Sequence, residues 1–218
     1  MNVVANVKNN SASQETRRRL LTAAGEIFAE HGFHLATIKQ ITDRAGASLA
    51  SVNYHFVDKA ALYAAVLQGL AEESVHLIPP DEKLNGDATN RLRQFIQFLC
   101  NAMMNRERVP WKQVLLAREM AEPTAALDPL FDRVMLPITE KLATLVSELM
   151  ELPKRHRQVG LVTAAIFGQC VYYVKHRAMI GRIHPQLGDS PDVAMLADHI
   201  AEFSLAGLRA AKKKPMRV

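Results

Sequence analysis

Cys100 and Cys170 are the only cysteines in 218 residues, and both fall within apolar helical patterns. They read as reduced core residues of a cytosolic protein rather than as a disulfide. Nowhere does an apolar run approach the ~18–20 residues needed to cross a bilayer, so no membrane partner is expected. Residues 1–10 lack the apolar core of a signal peptide. They are expected to be disordered and to carry no export signal, which makes the cytoplasm the expected location. No phosphate-cradling Gly-Lys-Ser loop, Gly-x-Ser-x-Gly elbow or His-Glu-x-x-His helix occurs, which argues against a nucleotide hydrolase, a serine hydrolase or a zinc protease. His31 and His34 lie close together, but Gly32 interrupts any helix between them and no cysteine or carboxylate cluster completes a site. No metal, cofactor or catalytic residue is expected. Alternating β-branched stretches and internal repeats are also missing.

What remains is a sequence with 49% hydrophobic and 22% charged residues, ordinary for a globular protein. The length suits one well-buried core plus a small module. A net charge of +5 favours an anionic partner only weakly. The charge is also uneven. Arg17, Arg18 and Arg19 open the first helix, and Lys212, Lys213, Lys214 and Arg217 form a tail that is either a frayed helix end or a contact site.

Along the chain, Ser11 and Gln14 have capping-box spacing, and Leu20, Ala24, Ile27 and Phe28 follow with helical period. Gly32 stops that helix, with Phe33 folding back onto it. Thr37 caps a short helix to Ala45 that turns Ile38, Ile41 and Ala45 inward, and Gly46 ends it. Ser48 caps a second short helix with Val52 and Phe56 buried, and Asp58 caps a longer one bearing Leu62, Val66, Leu67 and Leu70. Pro79 and Pro80 end that helix, and Asp81 to Asp87 make a polar linker. Further stripes follow at Leu92 to Met103, at Val114, Leu115 and Met120, and from Leu136 to Met150, where Pro137 starts or kinks the helix. A long apolar helix is expected over Val159 to Ile180 and a last one over Val193 to Ala211. The fold class is all-α.

The chemistry concentrates between Thr37 and Leu62. Two short helices separated by Gly46-Ala47-Ser48 have the spacing of a helix-turn-helix, with glycine permitting the reversal. The second helix carries Ser48, Ala50, Ser51, Asn53, Tyr54 and His55, small or hydrogen-bonding groups suited to entering a groove. Lys59 opens the next helix, where its charge adds to amide dipoles that attract phosphate.

Phe28, Gly32, Phe33, Thr37, Ile38, Ile41, Ala45, Gly46, Ser48, Tyr54-His55-Phe56, Lys59 and Leu62 together resemble the tetracycline-repressor (TetR) family of bacterial regulators. The resemblance is specific over about residues 16–65 and architectural beyond. It implies a three-helix DNA-binding domain, assigned to residues 11–60, and a helical dimerisation and ligand-binding domain over 61–211. It further implies that Thr37, Tyr54, His55 and Lys59 touch phosphates of double-stranded operator DNA, and that Ser48, Ala50, Ser51 and Asn53 lie nearest base edges. Tyr54 and His55 would alternatively cover the joint between the second and fourth helices. Two positions depart from the family pattern: Ala50 stands where glycine is frequent, and Val52-Asn53 where Leu-Tyr is frequent. Asn53 thereby supplies an amide that can read adenine. Val52 to Phe56, with Arg118-Glu119, Pro123 and Asp128-Pro129, is similar to a TetR subgroup with a longer C-terminal domain, from which no ligand is implied.

The Val159 to Ile180 helix is apolar on nearly every side and carries Gly160, Ala164, Ala165 and Gly168, which permit close approach. With the last helix it suits either a homodimer interface or an intrachain core, and the family resemblance favours the dimer. Gln169, Tyr172 and His176 either satisfy one another at that interface or line a cavity with Met103, Trp111, Arg118 and Phe131, suited to a small, mostly apolar ligand. The expected function is a ligand-released homodimeric repressor on a pseudo-palindromic operator. The rivals are a chromosome-organising DNA-binding protein without an inducer, and a helical small-molecule enzyme.

Overall fold

The computed structural model describes residues 2–104, 109–188 and 192–213, and every long element among them is a helix. The chain forms two compact units. One runs to Ser74 and takes in the segment through Arg133; the other holds the chain from Val75 through the next helix and from Val134 onward.

The first unit contains α1 (Asn2–Leu35), α2 (Ile38–Ala45), α3 (Leu49–Phe56), α4 (Lys59–Ser74) and α6 (Pro110–Ala121). Contrary to the expected disorder of the first ten residues, α1 runs back to Asn2. Ser11 is therefore no N-cap, and Arg17 to Arg19 stand within the helix rather than at its start. Nothing in the sequence before Ser11 breaks a helix, since neither proline nor glycine occurs there. Gly32 departs from helical geometry at φ 75°, as its position predicts, and one more turn follows to Leu35. Phe33 does fold back, its ring centroid lying 6.2 Å from Phe28 and 5.0 Å from Tyr63.

Leu20, Ile27, Phe28, Ile41, Val52, Phe56, Leu62 and Leu67 close the core of this unit, with Leu115 of α6 buried among them. Trp111 of α6 lies against α1, where a Cβ on Gly25 would come within 2.3 Å of the indole. Glycine at that position is what lets the ring approach. Val114 and Met120, expected in the apolar stripe of α6, are instead exposed.

The second unit contains α5 (Ala88–Met104), α8 (Leu136–Met150), α9 (Arg157–Lys175), α10 (Arg177–Ile183) and α11 (Val193–Lys213). In chain order, α7 (Asp128–Leu130) of the first unit continues through a wide π-turn at Phe131–Met135 into α8, whose first turn holds Pro137. Leu92, Phe95, Ile96 and Leu99 of α5 are fully buried, and α5 packs on α8, α9 and α11. Cys100 and Cys170 are free thiols buried across α5 and α9. Their sulfurs hydrogen-bond; this contact lowers the Cys100 pKa, and with burial it pushes Cys170 upward. The single long helix expected over Val159 to Ile180 is two helices. His176, at φ −107° and ψ 16°, separates α9 from α10.

Candidate nucleic-acid interface

Each short helix of the predicted helix-turn-helix is fixed by its own cap. Thr37 accepts the Gln40 amide while the Gln40 side chain accepts the Thr37 amide, a reciprocal box that opens α2. The Thr37 hydroxyl also donates to Gln40 Oε1 at 2.8 Å. Gly46 closes α2 in the left-handed region, φ 58° and ψ 42°, where a side chain is disfavoured. Ser48 caps α3 by accepting the Ser51 amide, and the Ser48 and Ser51 hydroxyls lie 2.9 Å apart in a hydrogen bond of their own. Asp58 accepts the Ala61 amide at 2.7 Å and so caps α4.

Cations then fasten the three helices. Arg44 of α2 makes a two-pronged pair with Glu30 of α1, at 2.6 and 3.0 Å, and that hydrogen-bonded guanidinium holds the Glu30 carboxyl below its usual range. Arg17 of α1 lies over the Phe56 ring of α3 at 5.2 Å. The α3–α4 joint is tight. Val57 has φ 67° and ψ −57°, and the Asp58 amide donates to the Phe56 carbonyl at 2.7 Å. This is a γ-turn, a strained conformation for a β-branched residue.

With Val52 and Phe56 turned inward, α3 leaves Ser48, Leu49, Ala50, Asn53 and Tyr54 exposed and Ser51 and His55 half-buried. Thr37 is exposed too, so seven of the eight residues expected at DNA have accessible surface without an internal task that hides them. Tyr54 is 79% exposed, its ring edge-on to His55 at 4.9 Å, so it does not cover a helix joint.

Lys59 has a different task. Its ammonium donates to the carbonyls of Phe33, His34 and Ala36 at 2.9, 3.3 and 3.0 Å and sits 4.7 Å from the Phe33 ring centroid. All three ammonium hydrogens are thus engaged at the end of α1. Reaching a phosphate would require giving those bonds up, so the phosphate contact expected of Lys59 Nζ competes with this internal one. Leu49, passed over in the sequence, is 60% exposed. Its spacing of three before Val52 mimics a core position, but at the first turn of α3 nothing lies beyond it to bury against.

The residues expected to line a ligand cavity divide between the units. Trp111, Arg118 and Phe131 belong to the first; Met103, Gln169, Tyr172 and His176 belong to the second. In the first unit Trp111 lines an open cleft of about 330 Å³ with Leu21, Thr22, Ala65, Gly69 and Lys112, whereas Arg118 and Phe131 are absent from its lining. Arg118 reaches the Glu30 carbonyl at 3.4 Å, and Phe131 is 55% exposed. In the second unit the Tyr172 ring lies tilted by 60° to that of His176, centroids 5.3 Å apart, and Gln169 donates to the Ala165 carbonyl of its own helix. Met103 is half-buried. Among the described residues no group of three or more histidine, cysteine or acidic side chains could hold a metal, and no helix is long and apolar enough to cross a membrane. Lys212 pairs with Glu151 at 2.7 Å, while Lys214 and Arg217 of the basic tail lie outside the described residues.

The family model for bacterial regulatory proteins of the tetR family matches residues 20–66. The model for the C-terminal domain of the HTH-type transcriptional dual regulator CecR matches residues 88–208, more than half of the chain. The HTH-type transcriptional activator FasR of Mycolicibacterium smegmatis is 36% identical over 89 residues, 41% of each chain, so that alignment takes in less than half of the relative. The dual regulator CecR of Shigella flexneri is 24% identical over 174 residues, 73% of this chain and 76% of that one. A transcriptional regulator of Pseudomonas aeruginosa PAO1 superposes with a TM-score of 0.65 at 18% identity, covering 91% of this chain and 92% of its own, a likeness of fold.

Proposed function

This chain belongs to the TetR family of bacterial transcription regulators, and on that footing we propose that it is a cytoplasmic, ligand-released repressor that grips a pseudo-palindromic operator as a homodimer. The observation that carries the reading is the exposed face of α3, capped at its start and held by buried Val52 and Phe56. Residues 11–60 act as the DNA-binding domain and 61–211 as the regulatory and dimerisation domain. Thr37, Tyr54 and His55 serve phosphates, and Ser48, Ala50, Ser51 and Asn53 lie nearest the bases. In a bound dimer the two α3 helices enter successive major grooves about 34–36 Å apart.

Dimerisation is assigned to α9 and α11. On α9, Gly160, Leu161, Ala164, Ala165, Gly168 and Tyr172 form an exposed face of small and apolar residues. On α11, Met195 and Phe203 are 47% and 63% exposed. Leu205, by contrast, is buried within its own unit, so a charge there would report folding rather than assembly. Phe203→Glu tests assembly directly. An uncompensated charge at the interface is expected to cost several kcal/mol and yield monomers at micromolar concentration. Selection of binding sites from a random duplex library should return inverted half-sites for the wild type and fail for this variant. A wild-type protein of monomeric mass at that concentration would sink the dimer and the paired half-sites together.

The ligand is a small, mostly apolar molecule, and of the residues expected to hold it Trp111 has the strongest support, because it lines the cleft in the first unit. By linkage, a ligand that weakens operator binding 100-fold must prefer the free protein by about 2.7 kcal/mol. A thermal-shift screen of apolar compounds should therefore find stabilisers that also release DNA. Stabilisers that leave operator affinity unchanged would count against an inducer role.

A further inference from the structure

Resting on the reading of α3 as the recognition helix, we infer that Leu49 is a specificity residue that reads the 5-methyl group of a thymine in each operator half-site. Three observations lead there. The hydroxyls of Ser48 and Ser51 are hydrogen-bonded to each other in the cap of α3, which ties up one of their two O–H donors and leaves the first turn one free hydroxyl donor. Beside it the turn presents apolar surface: Leu49 is 60% exposed, and the adjacent Ala50 is exposed as well. Asn53, also exposed, lies one helical turn after Leu49 and shares its flank of the helix.

In the major groove an apolar side chain distinguishes bases by one feature, the thymine methyl, while an asparagine amide matches adenine N6 and N7. A helix bearing both on one flank fits a half-site in which an adenine and a thymine are read one turn apart along α3. Leu49 loses its unfavourable hydration only where a methyl covers it. The amide of Asn53 keeps the neighbouring contact polar, so the pair rejects G·C at both places.

The test uses the full-length protein and a duplex recovered by it from a random-sequence library. Each thymine is replaced in turn by deoxyuridine, which removes the methyl and leaves Watson–Crick pairing intact. Affinities are measured by fluorescence anisotropy at one salt concentration. At one thymine of each half-site the replacement should weaken wild-type binding about fourfold, the worth of one buried carbon. The Leu49→Ala protein, verified as folded by circular dichroism, should bind thymine and uracil equally at that position. Two results overturn the inference: wild-type affinity indifferent to every replacement, or a methyl effect that persists in Leu49→Ala. Recovery of no preferred sequence at all is a separate outcome, for it removes the recognition-helix reading itself.

Discussion

Glu119→Ala is expected to lower the stability of the first unit by about 2–4 kcal/mol, because it strands buried donors rather than merely removing a contact. Glu119 of α6 is only 3% exposed. One of its oxygens accepts the Tyr63 hydroxyl of α4, and the other accepts the Thr124 amide and hydroxyl at 3.2 and 3.0 Å. Burial and the carboxylate push the Tyr63 phenol above its ordinary range, so Tyr63 remains a donor at any physiological pH. Tyr63 in turn meets Phe28 edge-on at 4.8 Å, joining this polar pair to the core beneath α2 and α3. Urea denaturation of Glu119→Ala, Tyr63→Phe and the double variant checks the account. Tyr63→Phe removes a donor and leaves the carboxylate its two Thr124 bonds, so about 1–2 kcal/mol is expected. The double variant should be little worse than Glu119→Ala alone, because the hydroxyl that would be stranded is gone. Fully additive costs would mean that the two residues contribute independently and that the hydrogen bond between them carries no weight.

Local rules were legible in the sequence, and long-range ones were not. Thr37, Gly46, Ser48 and Asp58 occupy the capping positions read for them, since a cap depends on residues three or four apart. The buried stripe of α5 followed from period alone. Glu119 and Tyr63, by contrast, are 56 positions apart, and no periodicity pairs them. The break at His176 falls within Lys175-His176-Arg177 and carries neither proline nor glycine, so the sequence there reads as one helix. Val114 and Met120 fit a stripe in the sequence but point away from the core that Leu115 enters, because twelve residues of α6 give period little length to act on. The residues proposed for DNA stood out as a set through the motif, and the structure leaves Thr37, Ser48, Ala50, Asn53 and Tyr54 exposed. Single positions were less legible: Leu49 has the spacing of a core residue and is exposed, and Lys59 has the look of a free cation and is held on three carbonyls. The ligand residues were the least legible, because methionine and aromatic side chains fill cores and cavities alike.

Lys59→Met separates two roles that the same cation could play. Methionine retains much of the apolar stem beside Phe33 but cannot donate to the carbonyls of Phe33, His34 and Ala36. Those carbonyls close α1, whose dipole also favours a positive charge there. Hydrogen bonds from a charged donor contribute about 1.5–3 kcal/mol each when buried, and solvent can replace part of them here because Lys59 is half-buried. A loss of about 2–3 kcal/mol in denaturant unfolding is therefore expected. Operator binding gives the second readout. A cation that neutralises one phosphate contributes about one unit to the slope of log K against log salt. With the ammonium fixed on carbonyls, the slope should be the same for Lys59→Met and wild type, and any fall in affinity should be uniform across salt, as expected for a loosened α1–α4 joint. Arg44→Met makes the comparison sharper, since Arg44 is likewise held internally, by Glu30, and should behave in the same way. A slope reduced by about one unit in Lys59→Met, with stability unchanged, would return Lys59 to the phosphate backbone and show that its carbonyl contacts yield when DNA arrives.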